Sequence, residues 1–173
     1  MVLVDARRPA RLDASGDLVL LKDQDRSRWS RVLIDEGHEM VRRLLAGNQP
    51  GPYQLQAAIN AVHDDAPTAD RTEWDQILAL YDQLYAMQPT PVVALNRAVA
   101  VAEVHGAAVA LAALESVEIA LDGYHPFHVT RGDLFQRLGR SEEATAEYTR
   151  ALASVGNDEE RRFVERKLVE LTG

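Results

Sequence analysis

The chain has 173 residues, of which 46% are hydrophobic and 27% are charged, and it contains no cysteine. This length suits one domain or a short helical array with a sizeable core, and the absence of thiols excludes disulfides and thiolate metal sites. No apolar run approaches the ~18 residues that a membrane-spanning helix needs, and the N-terminus lacks the layout of a signal peptide, so we expect a cytoplasmic protein without a membrane partner.

The formal net charge of −8 is distributed unevenly along the chain. Residues 1–52 carry nine basic and eight acidic side chains, residues 53–124 carry two and ten, and residues 125–173 carry eight and nine. The acidic middle would repel phosphates, so we expect no direct binding of nucleic acid. A solvated acidic face is the simplest interpretation of this segment, and a docking surface for a basic partner is the alternative.

A connector of residues 11–29 joins a short apolar N-terminal helix to the first long helix. Residues 13–17 have the composition of a tight turn, in which Gly16 adopts a positive φ. The apolar run at 18–21 must be buried against the helices. We interpret the segment either as a packed structural connector or as a site of contact with a partner.

Helical periodicity continues from there almost to the C-terminus. The first long helix is predicted to begin near Asp25 or Ser27 and to end before a Gly- and Pro-rich turn at residues 47–52. A second helix spans about 53–63, and Thr72 is predicted to be the N-cap of the third.

Proline and glycine divide the second half of the chain. Pro91 and Pro126 are suited to the first turns of two helices, and Gly106 and Gly139 separate these helices from those that follow. Asn157 begins a capping-box pattern and is predicted to open the last helix.

Small and aromatic residues near the C-terminus recur at the spacing of a tetratricopeptide (TPR) helix pair. Small residues lie where two antiparallel helices touch, and aromatic residues fill the gap to the next pair. Residues 95–101 align with residues 129–135 at an offset of 34, which places Ala98 at the position of a small residue. The spaced set comprises Gly132, Phe135, Gly139, Ala144, Tyr148 and Ala151.

We therefore predict an all-α protein, a right-handed α-solenoid of TPR-like helix pairs with a C-terminal capping helix. Residues 1–52 would hold the N-terminal helix, the connector and the first long helix, packed on the array. Residues 53–173 would hold three helix pairs, at 53–90, 91–124 and 125–157, and the capping helix. The two parts are predicted to form one continuous structural unit.

Signatures of catalysis and cofactor binding are missing from the sequence. It has no phosphate-cradling glycine loop and no nucleophile elbow, and no two carboxylates are paired in a way that suggests a pocket. His125 and His128 are spaced for one helix face, but Pro126 between them indicates a helix start, and we expect no metal site. We predict that the protein is not an enzyme and binds no cofactor.

Six charged residues are candidates for partner binding. Three are carboxylates of the connector, one is an arginine beside them, and two are arginines at equivalent repeat positions, which would otherwise form local ion pairs. The candidates are Asp13, Asp17, Asp25, Arg26, Arg97 and Arg131. A structural role is assigned to Gly16, Leu18 and Trp29 in the connector and to the small and aromatic TPR positions.

Four segments of the sequence, taken in their order along the chain, are informative together. They are Asp-Ala-Arg-Arg-Pro-Ala-Arg at 5–11, Gly-Asp-Leu-Val-Leu-Leu-Lys-Asp-Gln-Asp-Arg-Ser-Arg-Trp at 16–29, Gly-Pro-Tyr-Gln-Leu-Gln-Ala-Ala-Ile at 51–59 and Leu-Asn-Arg-Ala-Val-Ala-Val-Ala-Glu-Val-His-Gly at 95–106. With Tyr124 and His125, these runs resemble the C-terminal extension of a group of bacterial extracytoplasmic-function sigma factors. The Asp-Gly-Asp-Leu signature of that family appears here as Ser-Gly-Asp-Leu at 15–18, which limits the carry-over to Asp17 and Leu18.

The resemblance covers essentially the whole chain and implies a role in transcription initiation. In that family the extension follows the domains that bind core RNA polymerase and promoter DNA, and neither domain is visible in this sequence. We expect a regulatory domain that contacts the sigma core domains or the polymerase and sets whether the factor is active. A free-standing TPR adaptor for a peptide partner is one alternative, and a small-molecule sensor or hydrolase is the other.

Overall fold

The structure, a computed structural model, describes residues 2–46 and 51–172. Within these residues all named elements are helical, and the nearest approach to a sheet is one antiparallel bridge between Leu12 and Leu18. The predicted all-α fold class is therefore confirmed. Of the turn predicted at 47–52, residues 47–50 lie outside the described part of the chain. No helix in that part is both long and apolar enough to cross a membrane.

The helices follow one another closely along the sequence. The α-helices are α1 (Val2–Ala6), α2 (Arg31–Leu45), α3 (Pro52–Asp65), α4 (Trp74–Met87), α5 (Pro91–His105), α6 (Ala107–Leu114), α7 (Glu118–Leu121), α8 (His125–Arg137), α9 (Ser141–Ser154) and α10 (Asp158–Thr172). Short 3-10 helices occupy Arg8–Ala10, Leu21–Asp23, Arg26–Arg28, Ala69–Arg71 and Glu115–Val117.

The chain divides into two compact units, Met1–Pro89 and Thr90–Gly173. The boundary between them lies at the end of the first of the three helix pairs predicted from the sequence. We call residues 1–89 the N-terminal unit and residues 90–173 the C-terminal unit.

In the N-terminal unit, α1 packs against α2 and α3, and α3 packs against both α2 and α4. The close approach of α1 to α2 depends on Gly37, because the Leu3 side chain occupies the space that a Cβ at this position would need. Leu3 also packs with Val41 and Ala58, so that one small core cluster joins the first three helices. The two helices within residues 53–90 are α3 and α4, and they pack on each other.

Two helix starts differ from the sequence prediction. Helix α2 begins at Arg31, with the Ser30 side chain accepting a hydrogen bond from the Leu33 amide, several residues later than predicted. Asp25 instead caps the short 3-10 helix Arg26–Arg28. Helix α4 begins at Trp74, and Thr72 lies just outside it as a buried residue. In both cases a 3-10 helix comes shortly before the α-helix: Asp25 caps the first with its side chain, and the Thr72 amide closes the second by donating to the Ala69 carbonyl.

In the C-terminal unit the predicted helix starts and ends at proline, glycine and asparagine are confirmed. Pro91 is in the first turn of α5, which Thr90 caps by accepting a hydrogen bond from the Val93 amide. Gly106 and Gly139 follow α5 and α8 with φ values of 89° and 70°, a region that favours glycine. The Asn157 side chain accepts a hydrogen bond from the Glu160 amide, 2.8 Å away, at the start of α10.

The helices of this unit pack as pairs. Helix α5 packs on α6, α8 packs on α9, both α5 and α6 contact α8, and α10 packs on α9. The small residues predicted between paired helices are buried: Ala98, Gly132, Ala144 and Ala151. Phe135 and Tyr148 are buried as well. The spacing that indicated the TPR-like pair thus marks residues of the core.

Candidate functional site

The connector turn is built around the Asp13 carboxylate. Its Oδ1 atom accepts hydrogen bonds from the amides of Ser15, at 2.8 Å, and Asp17, at 2.9 Å. The Asp13 amide donates in return to the Asp17 carbonyl at 2.9 Å, and Gly16 has a φ of 79°, as its position in the sequence predicted. Asp13 is exposed and Asp17 is half-buried, so this turn fixes the Asp13 carboxylate and the backbone of Asp17 near the surface.

The apolar run after the turn is only partly buried. Leu18 and the three residues that follow it are half-buried, whereas the sequence predicted that this run is buried against the helices. Leu21 packs against the core cluster that contains Trp29 and Ile34, and the Gln24 side chain ties back to the Val19 carbonyl at 3.2 Å. The run therefore lies at the edge of the core, with the Leu12–Leu18 bridge at its start and Leu21 packed on the core cluster at its end.

Asp25 and Arg26 have different surroundings although they are neighbours. The Asp25 carboxylate is exposed and accepts hydrogen bonds from the Ser27 hydroxyl, at 2.6 Å, and the Ser27 amide, at 2.9 Å. The Ser27 hydroxyl, followed by its amide, lowers the pKa of this carboxyl below the usual value. Asp25 therefore presents a negative charge at a fixed position.

Arg26 is a structural tie between the connector and α3. Its Nη1 atom donates to the His63 carbonyl at 2.8 Å and to the Ala66 carbonyl at 2.6 Å, where α3 ends. The guanidinium also lies 4.6 Å from the centre of the Trp29 ring, a cation–π distance. Trp29 is buried, as predicted, although it comes before α2 and is not part of that helix.

A second arginine, which follows α1, contacts the same end of α3. Arg7 follows α1, is buried, and donates hydrogen bonds to the Leu3 carbonyl and the Asn60 side chain. Its Nε atom lies 3.3 Å from Oδ1 of Asp64, whose side chain is fully buried. Because the Nε hydrogen is directed at Leu3, the two carboxylate oxygens of Asp64 accept no hydrogen bond among the described residues.

Burial at this end of α3 shifts the pKa values of two neighbouring side chains, His63 and Asp64. Burial raises the pKa of Asp64 to about 6, against the opposing effect of Arg7. Burial, followed by the charges of Arg7 and Arg26, lowers the pKa of His63 to about 4. The His63 ring meets Trp74 edge to face at 5.2 Å. We call Arg7, Arg26, His63 and Asp64 the α3-end cluster.

The C-terminal unit has its own buried ionic network. The Glu147 carboxylate lies 2.7 Å from Nδ1 of His128 and 3.1 Å from Nε of Arg131. The other ring nitrogen of His128 lies 2.6 Å from the Asp122 carbonyl, and Arg131 also pairs with Glu118 at 3.0 Å. The network joins α7, α8 and α9 through ion pairs and hydrogen bonds within the C-terminal unit.

Within each unit the candidate residues have different surroundings. Asp13, Asp17 and Asp25 lie on the connector, Arg26 points inward to α3, and Arg131 belongs to the buried network. Arg97 is half-buried on α5 and already interacts with neighbouring groups.

The predicted absence of a metal site concerns His125 and His128, and these two side chains have separate partners. His125 lies 3.1 Å from Glu160, and His128 lies beside Glu147. No group of three or more metal-binding side chains occurs among the described residues.

Sequence reasoning missed the α3-end cluster and the His128 network. Arg7 and Asp64 are 57 positions apart, and neither disrupts the apolar periodicity of a helix, so no local pattern indicates their contact. His128 and Glu147 lie on the two helices of one pair, 19 residues apart, and the spacing that indicated the pair does not say which polar side chains meet across it.

Comparison with known proteins gives similarity without a known activity. Residues 1–45 match the model of a family of unknown function (DUF6596). This matched segment contains the connector. Over 168 residues the chain is 44% identical to the "Uncharacterized protein R00370" of Rhizobium meliloti (strain 1021). The match covers 97% of this chain and 40% of that relative, so the chain spans about two fifths of its length. No solved structure matches the chain.

Proposed function

We propose that this chain is the C-terminal regulatory region of a bacterial extracytoplasmic-function sigma factor. It acts in the cytoplasm as a protein-interaction domain without enzymatic activity. Its partners are the sigma core domains, RNA polymerase, or both, and it modulates transcription initiation through them. The resemblance of the four ordered sequence runs is the basis of this assignment.

The fold that we propose for this role is a right-handed TPR-like solenoid. Three features support it: the offset of 34 between residues 95–101 and 129–135, the pairing of α5 with α6 and of α8 with α9, and the packing of α10 on α9. In such an array each pair exposes an apolar face that the next pair or a capping helix covers. Helix α10 serves as this cap in our proposal.

The connector is the observation that carries the proposal. The turn at residues 13–17 and the cap at Asp25 hold carboxylates at defined positions on the surface. Arg26 ties the segment to the end of α3. A fixed charge loses less conformational entropy on binding than a mobile one, so this arrangement suits contact with basic groups of a partner.

The length of the Rhizobium meliloti relative is compatible with this role. Three fifths of that protein lie outside the match. A sigma factor with this extension needs room for the domains that bind polymerase and promoter DNA, and the unmatched part is longer than the matched part.

A binding experiment with purified components tests the proposal. The chain is immobilised and offered the sigma core domains of its own parent protein, core RNA polymerase, or both. We expect retention of at least one of them, weakened by Asp17→Ala and by high salt. Arg43→Ala, which removes an exposed charge of α2 far along the sequence from the connector, is the matched control. Retention of neither component would contradict the proposal.

A further inference from the structure

A continuous exposed stripe runs along α6, the 3-10 turn after it and α7. Exposed residues occur at 108, 109, 112, 115, 116, 119 and 120, which is the spacing of one face of a single helix. The two large side chains of this face are Val109, which is 51% exposed, and Ile119, which is 95% exposed. The stripe thus presents one face of a helical path to solvent.

The composition of this face is unusual for a solvent-exposed one. Five of its seven residues are apolar: Ala108, Val109, Ala112, Ile119 and Ala120. The sequence of α6, Ala-Ala-Val-Ala-Leu-Ala-Ala-Leu, contains no polar side chain at all. Its other side is covered, because α6 packs on α5 and α8. A helix that is apolar all round is normally buried all round, so the outer face indicates a surface that a partner covers.

The charged side chains on the segment that forms the stripe are acidic, and the arginine beside it, Arg131 of α8, already pairs with Glu118 and Glu147. Between residues 98 and 130 the chain contains no lysine or arginine and has four acidic residues. One of these, Glu118, pairs with Arg131 inside the C-terminal unit. Glu115 and Asp122 are exposed, the first within the stripe and the second just after it. The apolar face therefore has an acidic border.

We propose that this stripe is a docking surface for an amphipathic helix that carries an apolar ridge with lysine or arginine on its flanks. The ridge would cover Val109 and Ile119, and the flanking cations would meet Glu115 and Asp122. The alanines at 108, 112 and 120 allow the partner's backbone to approach closely. This surface lies in the C-terminal unit, is distinct from the connector, and does not depend on the sigma-factor assignment.

The charge pattern argues against a second copy of this chain as the occupant. In a two-fold symmetric dimer the same patch faces itself. Glu115, near the middle of the stripe, would then lie close to Glu115 of the other copy, and like charges at an interface are unfavourable. A basic helix meets the same border with opposite charges.

Two designed peptides test the proposal with the complete chain. Both form amphipathic helices with the same leucine ridge, one flanked by lysines and the other by glutamates. Fluorescence anisotropy measures their binding to the wild type and to Val109→Ser, Ile119→Ser and Val169→Ser. Val169 is 70% exposed on α10, outside the stripe, and is the matched control.

We expect the lysine peptide to bind about tenfold or more tightly than the glutamate peptide. Val109→Ser and Ile119→Ser should each weaken its binding by about tenfold, while Val169→Ser leaves binding unchanged. Binding of neither peptide, equal binding of both, or equal binding by all variants would overturn the proposal. Sedimentation of the wild type as a dimer that Ile119→Ser dissociates would assign the stripe to self-association and overturn it as well.

Discussion

The Tyr148 ring lies against Gly132 and occupies the space that a side chain there would need. A Cβ atom added to Gly132 would come within 2.8 Å of the ring, closer than real contacts allow. The glycine belongs to α8 and the tyrosine to α9, and both are buried. This contact sets how closely the two helices of the last pair approach each other.

Gly132→Ala should therefore destabilise the C-terminal unit, by about 1–3 kcal/mol, because the added methyl group overpacks the helix pair. Gly123→Ala is the matched control, since a Cβ at Gly123 would meet nothing within 4 Å. Urea denaturation measures both changes. In a Tyr148→Ala background the cost of Gly132→Ala should largely disappear, which is the coupling expected of two groups in contact. An equal cost in both backgrounds would show that the ring is not the obstacle.

The α3-end cluster predicts a pH dependence in which two groups oppose each other. Asp64 has a folded pKa of about 6, above its ordinary 3.8, so the folded state binds more protons between these values and stability falls as pH rises through them. His63 has a folded pKa of about 4, below its ordinary 6.5, so stability rises with pH across nearly the same window. The contributions of these two groups to the pH dependence of stability should therefore largely cancel between pH 4 and 6.5.

Single substitutions separate the two contributions. Asp64→Asn removes the contribution of Asp64, so that only the contribution of His63 remains. The free energy of unfolding should then rise with pH across this window by about 2–3 kcal/mol. His63→Phe, which keeps an aromatic ring beside Trp74, should produce the opposite slope. Urea denaturation at a series of pH values measures both. Two variants with the same slope as the wild type would contradict the protonation states described for the cluster.

Arg26→Met should loosen the connector, because it removes both hydrogen bonds to the last carbonyls of α3 while keeping much of the apolar stem. We expect a loss of about 2 kcal/mol in stability and faster hydrogen exchange at the amides of Asp17 and Val19. Arg28→Met is the control, since Arg28 is exposed and makes one hydrogen bond, of 3.5 Å, to the Leu12 carbonyl. Equal exchange rates in the two variants would mean that Arg26 does not hold the connector.

Asp13→Ala should disrupt the connector turn, because two backbone amides then lose their acceptor. The expected cost is about 1 kcal/mol, and Asp13→Asn should recover most of it because its side-chain oxygen accepts the same bonds. Thermal unfolding of the two variants measures the difference. If Asp13→Asn costs as much as Asp13→Ala, the negative charge of Asp13 matters and the turn geometry does not.

Features that depend on neighbouring residues could be predicted from the sequence, whereas contacts between residues far apart in the sequence could not. Gly16, Pro91 and Asn157 act through their own backbone or side chain, so their positions in a turn, a first helical turn and a cap could be read from neighbouring residues. The predicted start of α2 was wrong because Asp25 caps a three-residue 3-10 helix, and Ser30 caps the α-helix that follows. A capping residue identifies a helix start without giving the length of that helix.

The candidate site was predicted only in part. Asp13, Asp17 and Asp25 form the turn and cap that their types favour. The inward direction of Arg26 could not be predicted, because it depends on where α3 ends in space, and α3 ends 40 residues later at Ala66. The same reason applies to the Arg7–Asp64 pair.

Transcription by the full-length factor tests most directly the claim that the connector presents fixed carboxylates to a sigma or polymerase partner. The measurement compares the wild type with Asp17→Ala and Leu18→Asp, alongside the thermal stability of this chain with the same changes. We expect Asp17→Ala to reduce transcription and leave stability nearly unchanged, and Leu18→Asp to reduce both because a charge is placed on the half-buried run. Wild-type transcription with Asp17→Ala, or unfolding of the chain by that change, would contradict the account.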